Sequence, residues 1–407
     1  MATSQAAVYR ERPFLAVSLT HFFVDVLNNG RNLLVALLAV SLGLTNAQVG
    51  IALLLYNVGN ALSQPLFGWL ADRIGARLLV IGGLGWMIIF YVIASLAGDW
   101  PALVALTVAS LGSGAFHPTG TMVASRTSVT YRSRITALFF MAGQIGLFIG
   151  PVLAGIVLDA YGRPGYILLP ILALTALAGS WRWLVDAPRV PKVESKPVVV
   201  KETAVAVSAT PLRRSGSAAV HPPQFWRRVT VLTLIILAGS TASIAIITFT
   251  PILFTDQGYD QSLIGWLSGL IMMGSAVGGI VGGTLGDRIA GKWVILLGLA
   301  GSILPYYFFV PATVPWQATL LLLAGFFGGM PHTILVIMVQ SLLPKQQAMA
   351  SGLALGFMFF SGAVGSYFVG LIADRIGLAT TLQGLALLPL IVVFIAVWLP
   401  SQTQKPM

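Results

Sequence analysis

Residues 68–79 read GWLADRIGARLL, and residues 282–292 read GGTLGDRIAGK. Both place Gly-x-x-x-Asp at the end of an apolar run, with basic residues following. The pattern occurs four times, as Gly68–Asp72, Gly155–Asp159, Gly283–Asp287 and Gly370–Asp374. The steps from 68 to 283 and from 155 to 370 are both 215 residues. The same offset carries His117 to His332, Gly114 to Gly329 and Gly150 to Gly365. Chance supplies one such match, but hardly a set in one register. The chain therefore reads as a duplication, with a second repeat inside each half. Two halves related by an axis along a membrane normal, each made of two inverted three-helix units, satisfy both offsets.

Working outward from these motifs, apolar runs fall near 14–40, 47–69, 78–98, 101–125, 135–158 and 165–185. They resume near 229–253, 262–285, 293–311, 316–340, 347–370 and 378–399. Each matches the roughly 17–25 residues that cross a bilayer as a helix. Of the 407 residues, 57% are hydrophobic and only 9% charged, against about 25% charged in soluble domains. Lipid must be the solvent. The expected fold is an all-α membrane protein with twelve transmembrane helices in two pseudo-symmetric six-helix bundles, over residues 1–185 and 227–407. Between them, residues 186–226 are rich in Pro, Lys, Arg, Val and Ser and show no helical period. They read as a basic cytoplasmic linker, either a solvated tether or a segment resting on anionic headgroups. The N-terminal MATSQAAVYRERPF runs into the first apolar stretch without a small-residue cleavage site, so that stretch reads as a retained helix.

Charge sets the expected orientation. With the N-terminus inside, inner loops and tails hold 20 of the 23 basic residues, and the outer loops hold only Arg163 and Arg375. Both termini are thus expected in the cytoplasm, in a multi-pass protein of the inner membrane. The net charge of +11 forms no contiguous basic domain, so nucleic acid is not an expected partner. Cysteine is absent, which excludes disulfides and cysteine metal sites. Nothing suggests an enzyme: there is no nucleophile–base pair and no nucleotide loop. A monomer in lipid is expected.

His21, Asp25, Asn28 and Asn32 recur at i, i+4, i+7 and i+11, one face of the first helix. A polar stripe on a spanning helix faces a central cavity more readily than lipid. Asp25 is the carboxylate placed well inside a span, and a charge there is expensive to hold, so it is the natural proton-coupling group, with His117 as its companion. The bland alternative is a structural aspartate bonded to nearby Asn or Ser. Arg31 lies about 9 Å along the helix from Asp25. It either holds an anionic substrate, pairs with Asp25 or reaches the outer headgroups. His117 and His332 each sit beside a proline, so each either serves chemistry or bonds the carbonyl freed at a kink. His21, Asn28, Asn32, Tyr56, Asn60, Gln64, Gln144, His332 and Gln340 complete the candidate substrate binders. Each alone serves equally well as glue between helices. His21, Asp25 and His117 are ligand-type side chains, but their spacing gives no firm metal set, so neither metal nor cofactor is expected. Gly68 and Gly283 allow close helix approach, while Asp72 and Asp287 can accept from the amides of a neighbouring helix. Arg73, Arg77 and Arg288 can pair across those loops.

The segments at 68–79 and 282–292 resemble the signature loop of the major facilitator superfamily and its second-half copy. GLFIGPVLAG, Gly146 to Gly155, resembles the fifth-helix Gly-Pro motif of its proton-driven exporters, which implies a gating role for Gly150 and Pro151. A narrower resemblance is to the fosmidomycin-resistance branch. It rests on His21-x-x-x-Asp25, on Phe116-His117-Pro118, and on Leu343-Pro344 followed by Ala350-Ser351-Gly352-Leu353. Thr119 stands where that branch carries an acidic residue, and Arg31 is outside its pattern. The resemblance implies that Asp72 and Asp287 hold the cytoplasmic side closed. It also implies proton-coupled export of a small drug-like or anionic organic compound. Uptake of a sugar or organic acid, and lipid flipping, are the alternatives.

Overall fold

The computed structural model describes residues 11–127, 132–184, 223–286, 288–342 and 347–399. Six helices form the first half: α1 (Arg12–Leu42), α2 (Asn46–Ile74), α3 (Ala76–Leu96), α4 (Asp99–Arg126), α5 (Arg132–Gly165) and α6 (Leu168–Trp183). The second half holds α7 (Pro223–Asp256), α8 (Gln261–Gly286), α9 (Gly291–Phe308), α10 (Val314–Leu342), α11 (Gln347–Ile376), α12 (Leu378–Gly384) and α13 (Leu387–Ala396). The last two are one apolar crossing interrupted by a turn, Leu378–Ala396. The architecture is therefore twelve crossings in two sets of six. Among the described residues, nine crossings are long and apolar enough to span a bilayer by composition. The other three fall short for local reasons. α6 has only 16 residues, α2 carries Asn57, Asn60 and Gln64, and α4 carries Ser110, Ser113 and His117. Up to residue 222, the linker expected over 186–226 lies outside the described residues. α7 already begins at Pro223, a residue suited to a first helical turn.

Local chemistry sets the element ends. Pro13 opens α1, and Gly43, at φ 61°, closes it in the left-handed conformation that glycine adopts without a Cβ penalty. Thr45 and Gln48 then start α2 with a reciprocal capping box.

In the first half α1 packs on α4, α5 and α6; in the second, α10 packs on α8 and α9, and α7 on α11 and α13. Lipid gives helices no hydrophobic reason to associate, so close backbone approach must supply the contact energy. The α8–α10 seam shows this. A Cβ on Gly274, Gly278 or Gly282 would collide with the α10 backbone at Leu322, Phe326 or Met330. Gly325 and Gly329 return the contact onto Ile271 and Ser275.

The halves meet through α5 against α8 and α2 against α11. The 215-residue offset maps α2 onto α8 and α5 onto α11, so this is one contact used twice. On the face of the odd-numbered loops it is latched by two copies of the Gly-x-x-x-Asp pattern. Gly370 packs on the Asn46 carbonyl, and Asp374 accepts from Asn46 N at 2.7 Å, Asn46 Nδ2 at 3.0 Å and Ala47 N at 3.0 Å. Gly155 packs on Gln261, and Asp159 accepts from Ser262 Oγ at 2.9 Å. A carboxylate from one half thus caps the N-terminus of a helix in the other, where free amides and the helix dipole favour negative charge. Replacing Asp374 with alanine removes hydrogen bonds to a charged group, worth roughly 1.5–3 kcal/mol. The chain has no cysteine, so one introduced as Ala47→Cys reports on this face alone. Its maleimide labelling is expected to speed up about tenfold when Asp374→Ala is added. An unchanged rate would mean that the latch does not hold this face shut.

Candidate functional site

The polar stripe of α1 meets α4 and α5 inside the first half. Asp25 lies between two imidazoles: its Oδ2 is 3.3 Å from His21 Nε2, and its Oδ1 is 3.5 Å from His117 Nε2. Helical geometry brings the first pair together, since residues four apart stack on one face. The second pair is tertiary, because α4 delivers His117 from 92 residues away. Asp25 and His21 are buried, while the His117 side chain is 26% exposed. Gly143 of α5 closes the cluster. A Cβ there would sit 2.5 Å from His21 Nε2 and 2.6 Å from Asp25 Oδ2, so only glycine leaves room.

Backbone carbonyls decide how the rings are held. His21 Nδ1 donates to the Phe139 carbonyl at 2.7 Å, and His117 Nδ1 donates to the Ser113 carbonyl at 2.9 Å. A carbonyl only accepts, so each ring keeps its hydrogen on Nδ1. The neutral form of either ring then aims an Nε2 lone pair at the carboxylate. Two lone pairs and an anion converging in a buried site require positive charge among them. A proton on an imidazole or on the carboxyl supplies it.

Further residues hold this centre in place. Asn28 Nδ2 donates to Asp25 Oδ1 at 3.0 Å and to Ser113 Oγ at 3.1 Å, and Tyr56 donates to Asn28 Oδ1. Arg31 is buried with its guanidinium carbon 3.4 Å over the Tyr56 ring, and Nη2 donates to Asn32 at 3.2 Å. Among the described residues Arg31 has no carboxylate partner, and its Nε and Nη1 make no hydrogen bond. Asn32 leaves the stripe: it donates to Asn29 at 3.1 Å, which in turn donates to the Leu147 carbonyl at 2.6 Å.

Several sequence candidates lie elsewhere. Asn60 and Gln64 bond each other along α2 at 3.4 Å. His332 and Gln144 face a second space, a cavity of about 280 Å³ in the second half that α5 closes. Its polar lining includes Ser240, Ser243, Ser275 and Tyr306, its apolar wall is rich in isoleucine, leucine, methionine and phenylalanine, and among the described residues no Asp, Glu, Lys or Arg lines it. Gly143 touches the Asp25 cluster and its neighbour Gln144 lines this cavity, so α5 is their common wall. Gly150 packs against the α1 backbone at Val26, and the Pro151 carbonyl packs against Gly265 of α8. Arg73 stacks on Trp69, Arg77 donates to the Trp181 carbonyl at 3.0 Å, and Arg288 is exposed. Gly68 and Gly283 make only loose contacts, near Pro118 and Thr333. The side chains of Asp72 and Gln340, and residue Asp287, lie outside the described residues. Sequence reasoning missed Ser113, Asn29 and Gly143. Ser113 was within reach, since it precedes His117 by one helical turn. Gly143 carries no local signal.

Comparison with known proteins places the fold. The family model of the Major Facilitator Superfamily matches residues 17–262 and 231–406. The Fosmidomycin resistance protein of Escherichia coli (strain K12) is 28% identical over 401 residues, covering 96% of this chain and 93% of that protein. A probable sulfoacetate transporter of Cupriavidus necator is 27% identical over 364 residues, covering 84% and 82%. The crystal structure of a bacterial homolog of the human lysosomal transporter Spinster, inward-facing and unoccupied, superposes with a TM-score of 0.72 at 14% identity, covering 97% of each chain. With a family model matching both halves, and twelve crossings arranged as that family arranges them, the chain belongs to the major facilitator superfamily and is a multi-pass membrane transporter of small molecules.

Proposed function

We propose that the protein is a proton-coupled exporter of a small drug-like or anionic organic compound, seated in the inner membrane with both termini in the cytoplasm. The observation that carries this reading is the buried convergence of Asp25 Oδ1 and Oδ2 with two imidazole Nε2 atoms, which needs a proton to be stable. The cavity beside Gln144 and His332 provides the seat for the transported compound. α5 links the two. It touches the proton cluster at Gly143, lines the cavity at Gln144 and enters the inter-half contact at Pro151, Gly155 and Asp159. A change of charge at Asp25 thus acts on the helix that both borders the substrate and latches the halves. The resistance named for the Escherichia coli relative favours export, and the 20-to-2 bias in basic residues supports the orientation.

The test is transport of radiolabelled fosmidomycin, and of a neutral drug-like dye, in proteoliposomes with an imposed pH difference. One of the two is expected to move against its own gradient while protons move the other way, and to stop when an ionophore collapses the pH difference. Flux of both that ignores the proton gradient would sink the reading.

A further inference from the structure

We propose that His21, Asp25 and His117 also form a binding site for one divalent transition-metal ion, zinc by preference. Their ligand-type atoms lie within 4.8 Å of one another. His21 Nε2 lies 3.3 Å from Asp25 Oδ2, close to the roughly 3.3 Å between ligand atoms around a tetrahedral ion with bonds of about 2.0–2.1 Å, and His117 Nε2 faces the other oxygen, Oδ1, at 3.5 Å, so the carboxylate lies between the two rings. The lone-pair nitrogens point inward because both Nδ1 hydrogens are engaged by carbonyls. Metal-binding histidines show the same outer bond, which fixes ring orientation and strengthens the ligand. Asn28 does likewise for the carboxylate through Oδ1. Two imidazoles and one carboxylate are a zinc ligand set that leaves a fourth position open. Of the three side chains His117 is the most exposed, at 26%, so an entering ion would meet it first. Sequence spacing alone gave no such set, because His117 arrives from another helix.

This inference goes beyond transport and does not rest on it. Binding is read at equilibrium without any gradient, so failure of proton coupling leaves it standing, and its own failure leaves coupling untouched. The experiment is titration of the purified full-length chain, free of any histidine tag, with zinc by calorimetry and with cobalt(II) by visible absorption. One ion per chain is expected, with micromolar affinity and the visible bands of four-coordinate cobalt. His21→Ala, Asp25→Asn and His117→Ala are each expected to weaken binding by more than the roughly tenfold that loss of a partner behind a ligand costs. The double variant His221→Ala/His332→Ala removes the remaining histidines of the chain and is expected to bind as the parent does. If His117→Ala misfolds, His117→Cys serves instead, because it is expected to bind cobalt with a new thiolate charge-transfer band in the near ultraviolet. Absence of binding to the parent chain overturns the proposal. So does affinity unchanged in the three ligand variants, or a cysteine variant that takes up cobalt without the new band.

Discussion

Replacing Asp25 with asparagine is expected to abolish gradient-driven transport while the protein still folds. Asparagine keeps the shape of the side chain and can still bond Asn28, so the packing of α1 on α4 and α5 survives. The charge does not survive. Without the carboxylate, two buried imidazoles lose the anion that stabilises a proton between them, and removing one partner of a buried ionic cluster costs about 3–5 kcal/mol. Proton-driven accumulation is therefore expected to fall to background. Exchange of substrate across the membrane without net proton movement is expected to continue, because the cavity beside Gln144 and His332 contains no part of Asp25. Measuring both separates a coupling defect from a misfolded carrier. Accumulation that persists in Asp25→Asn at the parental rate would remove Asp25 from the mechanism.

The second large effect is structural and rests on two adjacent glycines. In Gly278→Ala the new Cβ would lie 2.7 Å from the Phe326 carbonyl carbon and 2.9 Å from its Cα. Neither atom can rotate away, so α8 and α10 must separate along their seam. Overpacking of this kind costs up to about 3 kcal/mol and occasionally more. Next to it, a Cβ on Gly279 meets only the Gly329 carbonyl oxygen at 3.8 Å, which is ordinary contact. Gly279→Ala gains helix propensity of up to about 1 kcal/mol and is expected to melt at or slightly above the parental temperature in detergent. Gly278→Ala is expected to melt several degrees lower, or to be lost during purification. Equal melting of the two variants would contradict the close α8–α10 approach.

The pattern Gly-x-x-x-Asp was visible at four places, and its spacing alone implied the duplicated fold. Which copies touch the opposite half was not visible. Asp159 and Asp374 reach across the interface because α5 and α11 end beside the starts of α8 and α2, an adjacency that exists only after the halves have packed. The stripe on α1 was legible as far as Asn28. Asn32 then departs from it because Asn29, buried against α5, offers a nearer acceptor.

The sequence by itself determined the solvent, the number of crossings, the duplication and the presence of a carboxylate within the membrane. Each of these follows from composition or from spacing along one chain. Tertiary structure decided which groups share that carboxylate. Two imidazoles from different helices, their ring hydrogens fixed by carbonyls, turn an isolated acid into a seat for positive charge. Such convergence depends on how helices cross, and helix crossing is set by close contacts between elements far apart in sequence, which no local pattern records.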